Sequence, residues 1–320
     1  MLTQISKSEI EKGLKLIEQA QTIAIISHRG PDADTIGANL ALRLALEPLG
    51  KKVTSLCIDP VPENCQFMPQ STQFKQTFNY EDFDLYIIVD CGAHYMTRFH
   101  EDKPELLSKK IPILNIDHHS SNDNFGTVNL VQDDAASTTL ILWHLFKSWN
   151  LTLTSYIATC LLAGLFFDTG SFQHDNTNAD VLRCAADLTR YHANIPLISY
   201  NLFQQTSVNK LKLWGRILNR THVNSKNIVS SVITEEDFTI TGAKSKDTEG
   251  LIDYLTAVKN NKFAILLTED FRGGIKGSLR TQGDTDVSQI ASLFGGGGHK
   301  KASGFRVTGK LKEDINWMVN

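Results

Sequence analysis

Aspartate and histidine, two side chains that commonly hold catalytic metals, gather in four short segments of the sequence. The segments are His28-x-x-x-Asp32-x-Asp34, Val-Asp90-Cys-Gly, Asp117-His118-His119 and Phe-Phe-Asp168-Thr-Gly. Any one segment alone fits a helix cap or a surface hydrogen bond. Crowded together, however, such carboxylates repel one another and raise each other's pKa, and a bound cation relieves that repulsion. The four segments together therefore predict a metal site.

The ligand types restrict the choice of metal. Carboxylates and imidazoles without thiolates argue against structural zinc and favour Mn²⁺, with Mg²⁺, Co²⁺ and Fe²⁺ as alternatives. The predicted ligands outnumber the needs of one ion, so we expect two divalent cations. Such a pair would activate a water and stabilise the leaving oxygen at a phosphoryl centre. Asp90 is the expected bridging ligand, and the chemistry is that of a metal-dependent phosphoesterase.

The apolar pattern predicts elements that bring these segments together. The predicted strands are 22–27, 53–58, 85–89 and 111–116, and the predicted helices are 6–20, 35–49, 137–149 and 155–167. Continuous apolar strands that alternate with helices indicate a parallel sheet covered on both faces. Sites in such sheets form at the carboxyl ends of the strands, and we expect all four segments at that edge.

The C-terminal part of the chain predicts a second, smaller α/β domain. A helical stretch over 178–222, with a break at Pro196, leads into it. The predicted strands of this domain are 228–233, 263–268 and 275–281, and its predicted helices are 250–259 and 287–294. The fold class is thus α/β, with a mostly parallel N-terminal sheet flanked by helices. The expected domains are a catalytic domain over 1–190, a helical connector over 191–223 and a substrate-binding domain over 224–320.

A second candidate site is a run of four glycines over 295–298, which is followed by His299. Glycines let backbone N–H groups approach an anion closely, although such runs are more often flexible loops. Arg280 can hold a phosphate in bidentate fashion, His299 can stack on a base or bind phosphate, and Arg272 is a weaker candidate. The predicted substrate-binding residues are Ser278, Arg280, Gly296, Gly297, Gly298 and His299.

The composition restricts the substrate and the setting. The 320 residues carry a net charge of −3, whereas proteins that bind long duplex DNA usually have a basic excess. We therefore expect a short RNA or nucleotide substrate in a local pocket. The five cysteines form no Cys-x-x-Cys pair, and no apolar run has the length of a signal-peptide core or a membrane span. These features predict a cytoplasmic protein without membrane attachment and leave open whether it forms a homodimer.

The four Asp and His segments, in this order, resemble the motifs of the DHH phosphoesterase superfamily. Gly295-Gly-Gly-Gly-His299 with Ala302-Ser-Gly-Phe305 resembles the signature of the DHH-associated C-terminal domain. In size and layout the chain is similar to the NrnA-type oligoribonucleases, which also act as phosphatases on 3′-phosphoadenosine 5′-phosphate. The resemblance implies metal-dependent hydrolysis of short oligoribonucleotides, of that nucleotide, or of both. If the C-terminal domain holds the far end of the substrate, a cleft of fixed length would favour oligomers of a few nucleotides.

The resemblance also implies a role for each Asp and His of the four segments. The implied ligands of one metal are His28 and Asp32, and those of the other are Asp34, His118 and Asp168. Asp90 would bridge the two metals. His119 would contact the scissile phosphate, and Asp117 would orient the histidines.

Two alternatives stay open. A cyclic or linear dinucleotide phosphodiesterase of the same fold would use the same pocket residues. A non-catalytic nucleotide- or RNA-binding module is the alternative outside enzymes, because the DHH-associated domain also occurs in alanyl-tRNA synthetases, where it binds tRNA. All of the matched ligand positions carry Asp or His, which favours an active enzyme. A RecJ-like exonuclease is disfavoured because those chains carry extra domains.

Overall fold

Five parallel strands form the central sheet of the N-terminal half in a computed structural model, which describes residues 2–108, 110–270 and 273–312. The strands are β1 (Thr22–Ile26), β2 (Lys52–Leu56), β3 (Leu85–Val89), β4 (Ile113–Asp117) and β5 (Val128–Val131), in the order β2-β1-β3-β4-β5 across the sheet. The first four confirm the predicted strands. The apolar pattern does not predict β5, a four-residue edge strand interrupted by Asn129.

The two faces of this sheet explain why most positions of its strands are apolar. Ile23 and Ile25 point into one hydrophobic core, and Ala24 and Ile26 point into another on the opposite face. Alternate residues of a strand face opposite sides, so a strand covered on both sides favours apolar residues at successive positions, and a buried polar residue such as Asn115 is hydrogen-bonded. The expected parallel sheet with two covered faces is therefore confirmed.

Seven helices of the described residues surround this sheet or follow it. They are α1 (Lys7–Gln19), α2 (Ala33–Leu46), α3 (Phe99–Asp102), α4 (Thr138–Ser148), α5 (Ser155–Asp168), α6 (Ala179–Arg190) and α7 (Ile195–Ser199). Pro196 lies in the first turn of α7, where its missing N–H costs no helical hydrogen bond. The predicted break at Pro196 is thus the start of a new helix. A π-helical turn over Tyr200–Gln204 follows it.

Helices α2 and α5 pack so closely that two glycines are required between them. A Cβ on Gly37 would overlap the backbone carbonyl of Cys160. A Cβ on Gly164 would overlap the carboxylate of Asp34 and would lie 2.6 Å from Thr139 Cγ2. This close approach brings the end of α5 next to the start of α2, where the first Asp and His segment lies.

A second sheet of six strands forms the C-terminal part. Its strands are β6 (His222–Val223), β7 (Ile228–Ile233), β8 (Phe263–Asp270), β9 (Gly274–Arg280), β10 (Gly297–His299) and β11 (Ala302–Thr308), in the order β10-β11-β9-β8-β7-β6. Its helices are α8 (Val208–Asn219), α9 (Glu235–Thr241), α10 (Leu251–Thr256) and α11 (Val287–Ser292). Only the β7–β8 pair is parallel. This mixed sheet with helices confirms the smaller α/β domain.

The glycine run is not a free loop, because part of it forms an edge strand. Gly297–His299 pairs antiparallel with Ala302–Gly304 of β11. Gly296 and Gly298 are needed for that pairing, since a Cβ on either would overlap the backbone of β11. A Cβ on Gly297, in contrast, would meet nothing within 4 Å.

The chain divides into two compact units, Met1–Gln205 and Thr206–Asn320. This boundary falls within the predicted connector 191–223, and the three predicted domain ranges stay a prediction. No helix of the described residues combines the length and the apolar character that crossing a membrane requires. The five cysteines are buried and free, in keeping with a role as small core residues.

Candidate metal centre

The six predicted metal ligands and His119 converge within the first unit and form three groups of ligand atoms. In each group the ligand atoms lie within 4.8 Å of one another. The groups are His28, Asp32 and Asp90; Asp34, His118 and Asp168; and Asp90, His118 and His119. The first two correspond to the two ligand sets that the family resemblance implies. Segments up to 140 residues apart in the sequence are thus brought to one place by the sheet and by α5.

Asp90 lies between the groups and belongs to two of them. Its Oδ2 is 3.4 Å from His28 Nε2, and its Oδ1 is 3.5 Å from His118 Nε2. The two oxygens of one carboxylate therefore face histidines of different groups, as a bridging ligand requires. The backbone of Asp90 is left-handed, with φ of +58°, a conformation that aspartate tolerates better than most residues. It follows β3 directly, so the sharp turn aims the carboxylate across the edge of the sheet.

Two histidines are oriented by backbone carbonyls. His28 Nδ1 lies 2.8 Å from the carbonyl of Arg29, and His118 Nδ1 lies 3.2 Å from the carbonyl of Ala135. A carbonyl can only accept, so Nδ1 carries a hydrogen in both rings, and Nε2 is the nitrogen that faces the carboxylates. His118 Nε2 is also 3.4 Å from Asp168 Oδ2. Both rings thus present the nitrogen that a metal binds toward the carboxylates.

Asp34 is held by the start of α4 and does not cap its own helix. Asp32 caps α2, accepting hydrogen bonds from the backbone of Asp34 and Thr35. Asp34, fully buried, accepts from the N–H groups of Thr138 and Thr139 at 2.7 and 3.1 Å and from the Thr139 hydroxyl at 2.6 Å. These bonds fix its carboxylate in a single orientation, which a preformed ligand site requires.

Thr138 has a part that the sequence does not reveal. Ser137 caps α4, because its hydroxyl oxygen accepts a hydrogen bond from the N–H of Leu140. The Thr138 hydroxyl donates to Asp90 Oδ1 at 3.0 Å, while the Thr138 N–H donates to Asp34. One residue therefore orients a carboxylate of each predicted ligand set. A hydroxyl at the start of a helix is a common cap, so its type gave no sign of this second contact.

Asp117 orients His119 but not His118, which corrects the expectation that it orients both histidines. His119 Nδ1 lies 2.8 Å from Asp117 Oδ1, whereas His118 is held by a backbone carbonyl on another loop. Asn122, which the sequence does not single out, donates to Asp117 Oδ2 at 2.6 Å and to the carbonyl of Cys91. It therefore ties the turn after β4 to the turn after β3.

Asp168 reaches the site from a helix and not from a strand. It is the last residue of α5, as its position directly after the predicted helix 155–167 indicates, whereas the other three segments follow strands of the sheet. The close packing of α5 on α2 places it beside Asp34 and His118. Beside it, His174 Nδ1 lies 3.1 Å from the carbonyl of Asp168.

The carboxylates of the site are crowded enough to change their proton affinity. Burial and the charge of Asp90 raise the pKa of Asp34 to about 7. Burial, with the charges of Asp34 and Asp90, raises the pKa of Asp168 well above its usual value. Burial also disfavours the charge on Asp90, but the hydrogen bond with His28 and the charges of His118 and His28 outweigh it and lower the pKa of Asp90 to about 2. A divalent cation would relieve the repulsion among these carboxylates.

Four of the predicted substrate-binding residues share one face of the second sheet. Ser278, Gly304 and Gly297 lie opposite one another across β9, β11 and β10, and Arg280, Ala302 and His299 form the next row. Residues opposite one another in paired strands point to the same face. Ser278 and Arg280 are half-buried, and His299 and Gly297 are exposed. One guanidinium nitrogen of Arg280 donates to the carbonyl of Leu279.

The other face of these strands has a structural role. Leu279 and Phe305 pack there against Val287 and Ala291 of α11. The polar face is exposed at Gly297 and His299 of β10, whereas farther along the same face Ala264 and Leu266 of β8 are buried in a separate core. Arg272, the weaker candidate, lies outside the described residues.

Family models match both units. The model described as DHH family, N-terminal domain, matches residues 22–165, and that described as the DHHA1 domain matches residues 224–320. A bifunctional oligoribonuclease and PAP phosphatase NrnA from Thermus thermophilus is 30% identical over 291 residues, covering 90% of this chain and 84% of that protein. The protein of the same name from Mycoplasma genitalium is 28% identical over 311 residues, covering 96% and 95%.

A solved structure agrees with this fold. An exopolyphosphatase-related protein from Bacteroides fragilis matches with a TM-score of 0.84 at 24% identity, covering 98% of this chain and 94% of that one. The likeness concerns the fold alone. Together with the relatives that match nearly the whole chain, the findings show that the chain belongs to the DHH family of phosphoesterases and carries a DHHA1 domain.

Proposed function

We propose that the first unit binds two divalent cations, Mn²⁺ by preference, and that the protein hydrolyses phosphate esters of short oligoribonucleotides and of 3′-phosphoadenosine 5′-phosphate. The observation that carries the proposal is the position of Asp90, whose two oxygens face histidines of different ligand groups. Carboxylates and imidazoles without a thiolate suit Mn²⁺. The carboxylates repel one another and the imidazole Nε2 atoms point toward them, so bound cations would stabilise this arrangement.

The proposed roles follow from the contacts of each side chain. His28, Asp32 and Asp90 would hold one cation, and Asp34, His118 and Asp168, with Asp90, would hold the other. Cations bound there would supply an activated water and stabilise charge on the phosphoryl oxygens.

His119 is the proposed contact to the scissile phosphate. The hydrogen bond with Asp117 raises the pKa of His119 to about 9, although burial opposes this. The ring therefore holds a proton on Nε2 at neutral pH and can donate it to a phosphate oxygen.

The substrate class is supported by the relatives and by the second unit. Both curated relatives described above carry oligoribonuclease and PAP phosphatase in their names. The open face with Ser278, Arg280, Gly297 and His299 offers a guanidinium, a hydroxyl and an imidazole to a phosphate or a base. A local basic face of this kind suits a short substrate in a chain whose net charge is −3.

A panel of substrates tests the proposal. The Mn²⁺ protein is incubated with labelled RNAs of two to twenty nucleotides, with cyclic dinucleotides and with 3′-phosphoadenosine 5′-phosphate, and the rates are ranked. We expect the highest rates for the shortest RNAs and for the nucleotide, and no turnover after chelation. Equal rates on dinucleotides and twenty-nucleotide strands would contradict the substrate assignment. A cyclic dinucleotide as the best substrate would favour the phosphodiesterase alternative, and no metal-dependent turnover would favour a binding module.

Replacing Thr138 by valine should weaken the site without unfolding it. Valine keeps the shape of threonine but loses the hydroxyl that orients Asp90, while the backbone N–H to Asp34 remains. Groups that orient metal ligands typically affect metal affinity or activity by about 10–100-fold, and we expect a loss of that size. Titration with Mn²⁺ and turnover of a dinucleotide measure it. Thr189→Val, which removes a hydroxyl that donates to the carbonyl of Ala185 within α6, is the control, and equal effects of both variants would contradict this role.

Replacing Gly297 by leucine should impair binding of the natural substrate and leave the fold intact. A side chain at Gly297 enters open space on the face that holds Ser278 and Arg280, whereas one at Gly296 overlaps β11. We expect KM for a dinucleotide to rise about tenfold, while hydrolysis of bis(p-nitrophenyl) phosphate, which has no second nucleotide, stays unchanged. Gly296→Ala should instead lower the melting temperature. An unchanged KM in Gly297→Leu would count against this face as the substrate site.

A further inference from the structure

A cavity in the first unit lies apart from the candidate metal centre. It has a volume of about 340 Å³ and lies on the sheet face that carries Ile88 and Ile113. Leu106 and Phe125 complete an apolar floor, and each of these four side chains is no more than 9% exposed. None of the residues that line the cavity belongs to the three ligand groups. A volume of this size is at the lower end of the range of about 300–1,000 Å³ typical of small-molecule sites.

Four of the residues that line the cavity are polar, namely His94, Thr97, His100 and Asp123. His94 Nδ1 lies 3.7 Å from Asp123 Oδ2, and the Asp123 side chain is 50% exposed. The Nδ1 atom of His100 is buried and has no hydrogen-bond partner among the described residues. An unpartnered buried nitrogen costs about 1–3 kcal/mol unless a ligand or a water bonds to it. The lining therefore includes one imidazole nitrogen with an unmet hydrogen bond, on His100, and one half-exposed carboxylate, on Asp123.

Three ring systems border the same space. The rings of His94 and His100 meet edge to face at 5.7 Å, and His94 and Phe125 meet edge to face at 6.1 Å. Ring edges carry positive charge and ring faces negative charge, so such a corner favours a flat aromatic guest over a branched aliphatic one. The carboxylate of Asp123 disfavours a phosphate at the rim and favours an N–H or O–H donor.

We propose that this cavity binds an uncharged planar nitrogen heterocycle of purine size, such as the base of a free nucleoside. The ring lies between the apolar floor and the imidazoles, a ring nitrogen pairs with His100 Nδ1, and an amino or hydroxyl group donates to Asp123. The site is additional to the metal centre and does not depend on the proposed hydrolysis. Two lining residues belong to the segments that follow β3 and β4, since His94 comes four residues after Asp90 and Asp123 follows Asn122.

Calorimetric titration of the full-length Mn²⁺ protein with adenosine tests the proposal. Ile113→Phe and Phe125→Trp fill the cavity, and thermal melting identifies which of the two variants stays folded. Each folded variant should bind adenosine at least about tenfold more weakly, since an overfilled cavity cannot accept the ring. His100→Phe keeps a ring but removes the nitrogen, and a loss of about three- to tenfold is expected for one hydrogen bond. Asp90→Asn changes the metal centre only and should leave adenosine binding within about twofold of wild type.

Each remaining result overturns the assignment. Affinity that survives in a folded filling variant places the nucleoside elsewhere. Loss of binding in Asp90→Asn places it at the metal centre. If His100→Phe binds adenosine as tightly as the unaltered protein does, no hydrogen bond to His100 selects a nitrogen heterocycle. If the unaltered protein does not bind adenosine even at millimolar concentration, the cavity is not a nucleoside site.

Discussion

Asp90→Asn should abolish metal-dependent hydrolysis while the protein stays folded. Asparagine keeps the shape of the side chain and, like aspartate, tolerates the left-handed backbone at this position, where φ is +58°. It removes the negative charge of the carboxylate, whose two oxygens face His28 and His118. Metal-ion catalysis typically contributes several kcal/mol of transition-state stabilisation, so we expect kcat to fall by roughly 10³-fold or more. Turnover of a dinucleotide with Mn²⁺, together with the metal content of the purified variant, measures the effect.

The control for this variant is another loss of one carboxylate charge. Asp133 is exposed and accepts a hydrogen bond from Gln4 at the surface. Asp133→Asn should change neither metal content nor rate. If Asp90→Asn kept two bound ions and near-normal turnover, Asp90 would not be the shared ligand, and the arrangement of the site would need another explanation.

Gly164→Ala should damage both the stability of the first unit and its metal site. The added Cβ overlaps the carboxylate of Asp34 and approaches Thr139, which itself bonds Asp34. Neither neighbour can move freely, because three hydrogen bonds hold the carboxylate. Overpacking of this kind typically costs about 1–3 kcal/mol of unfolding free energy. Urea unfolding, with hydrogen exchange of the α5 amides, measures the stability, and Mn²⁺ titration measures the site.

Gly215→Ala is the matched control, because Gly215 also lies inside a helix but has nothing within 4 Å of a new Cβ. Alanine is the better helix former, so this variant should gain up to about 1 kcal/mol. A Gly164→Ala protein as stable as Gly215→Ala, with unchanged Mn²⁺ affinity, would show that α2 and α5 are packed less tightly than the structure indicates.

Much of the fold follows from the sequence because the first unit has a regular pattern. Strands β1, β3 and β4 are almost entirely buried and consist mainly of apolar residues, so each can be recognised alone. Strands β5, β6, β10 and β11 escape prediction because each lacks such a run. Strand β5 is short and carries Asn129, and β10 consists of Gly297, Gly298 and His299. Their pairing is decided by neighbours distant in sequence, which local patterns do not contain.

In the candidate site, too, some residues can be predicted from the sequence and others cannot. The ligand residues are recognisable because their chemistry is rare in combination, and the structure brings all six together. The groups that orient them are ordinary residues. Thr138 resembles any helix-terminal threonine, and Asn122 resembles any loop asparagine, until the contacts with Asp90 and Asp117 are known. Asp168 follows a predicted helix, but its contact with Asp34 depends on how α5 packs on α2, and the packing of two helices cannot be inferred from either one alone.

All of the candidate metal ligands lie between residues 28 and 168, inside the first unit, whereas the polar face with Arg280 and His299 belongs to the second. Bond breaking and choice of substrate would then be encoded in separate stretches of the gene. Insertions or sequence drift in the later stretch could redirect the enzyme to a new phosphate ester without disturbing the cation-binding chemistry. A chimera that joins this first unit to the second unit of a relative would inherit its reaction from one parent and its preferences from the other.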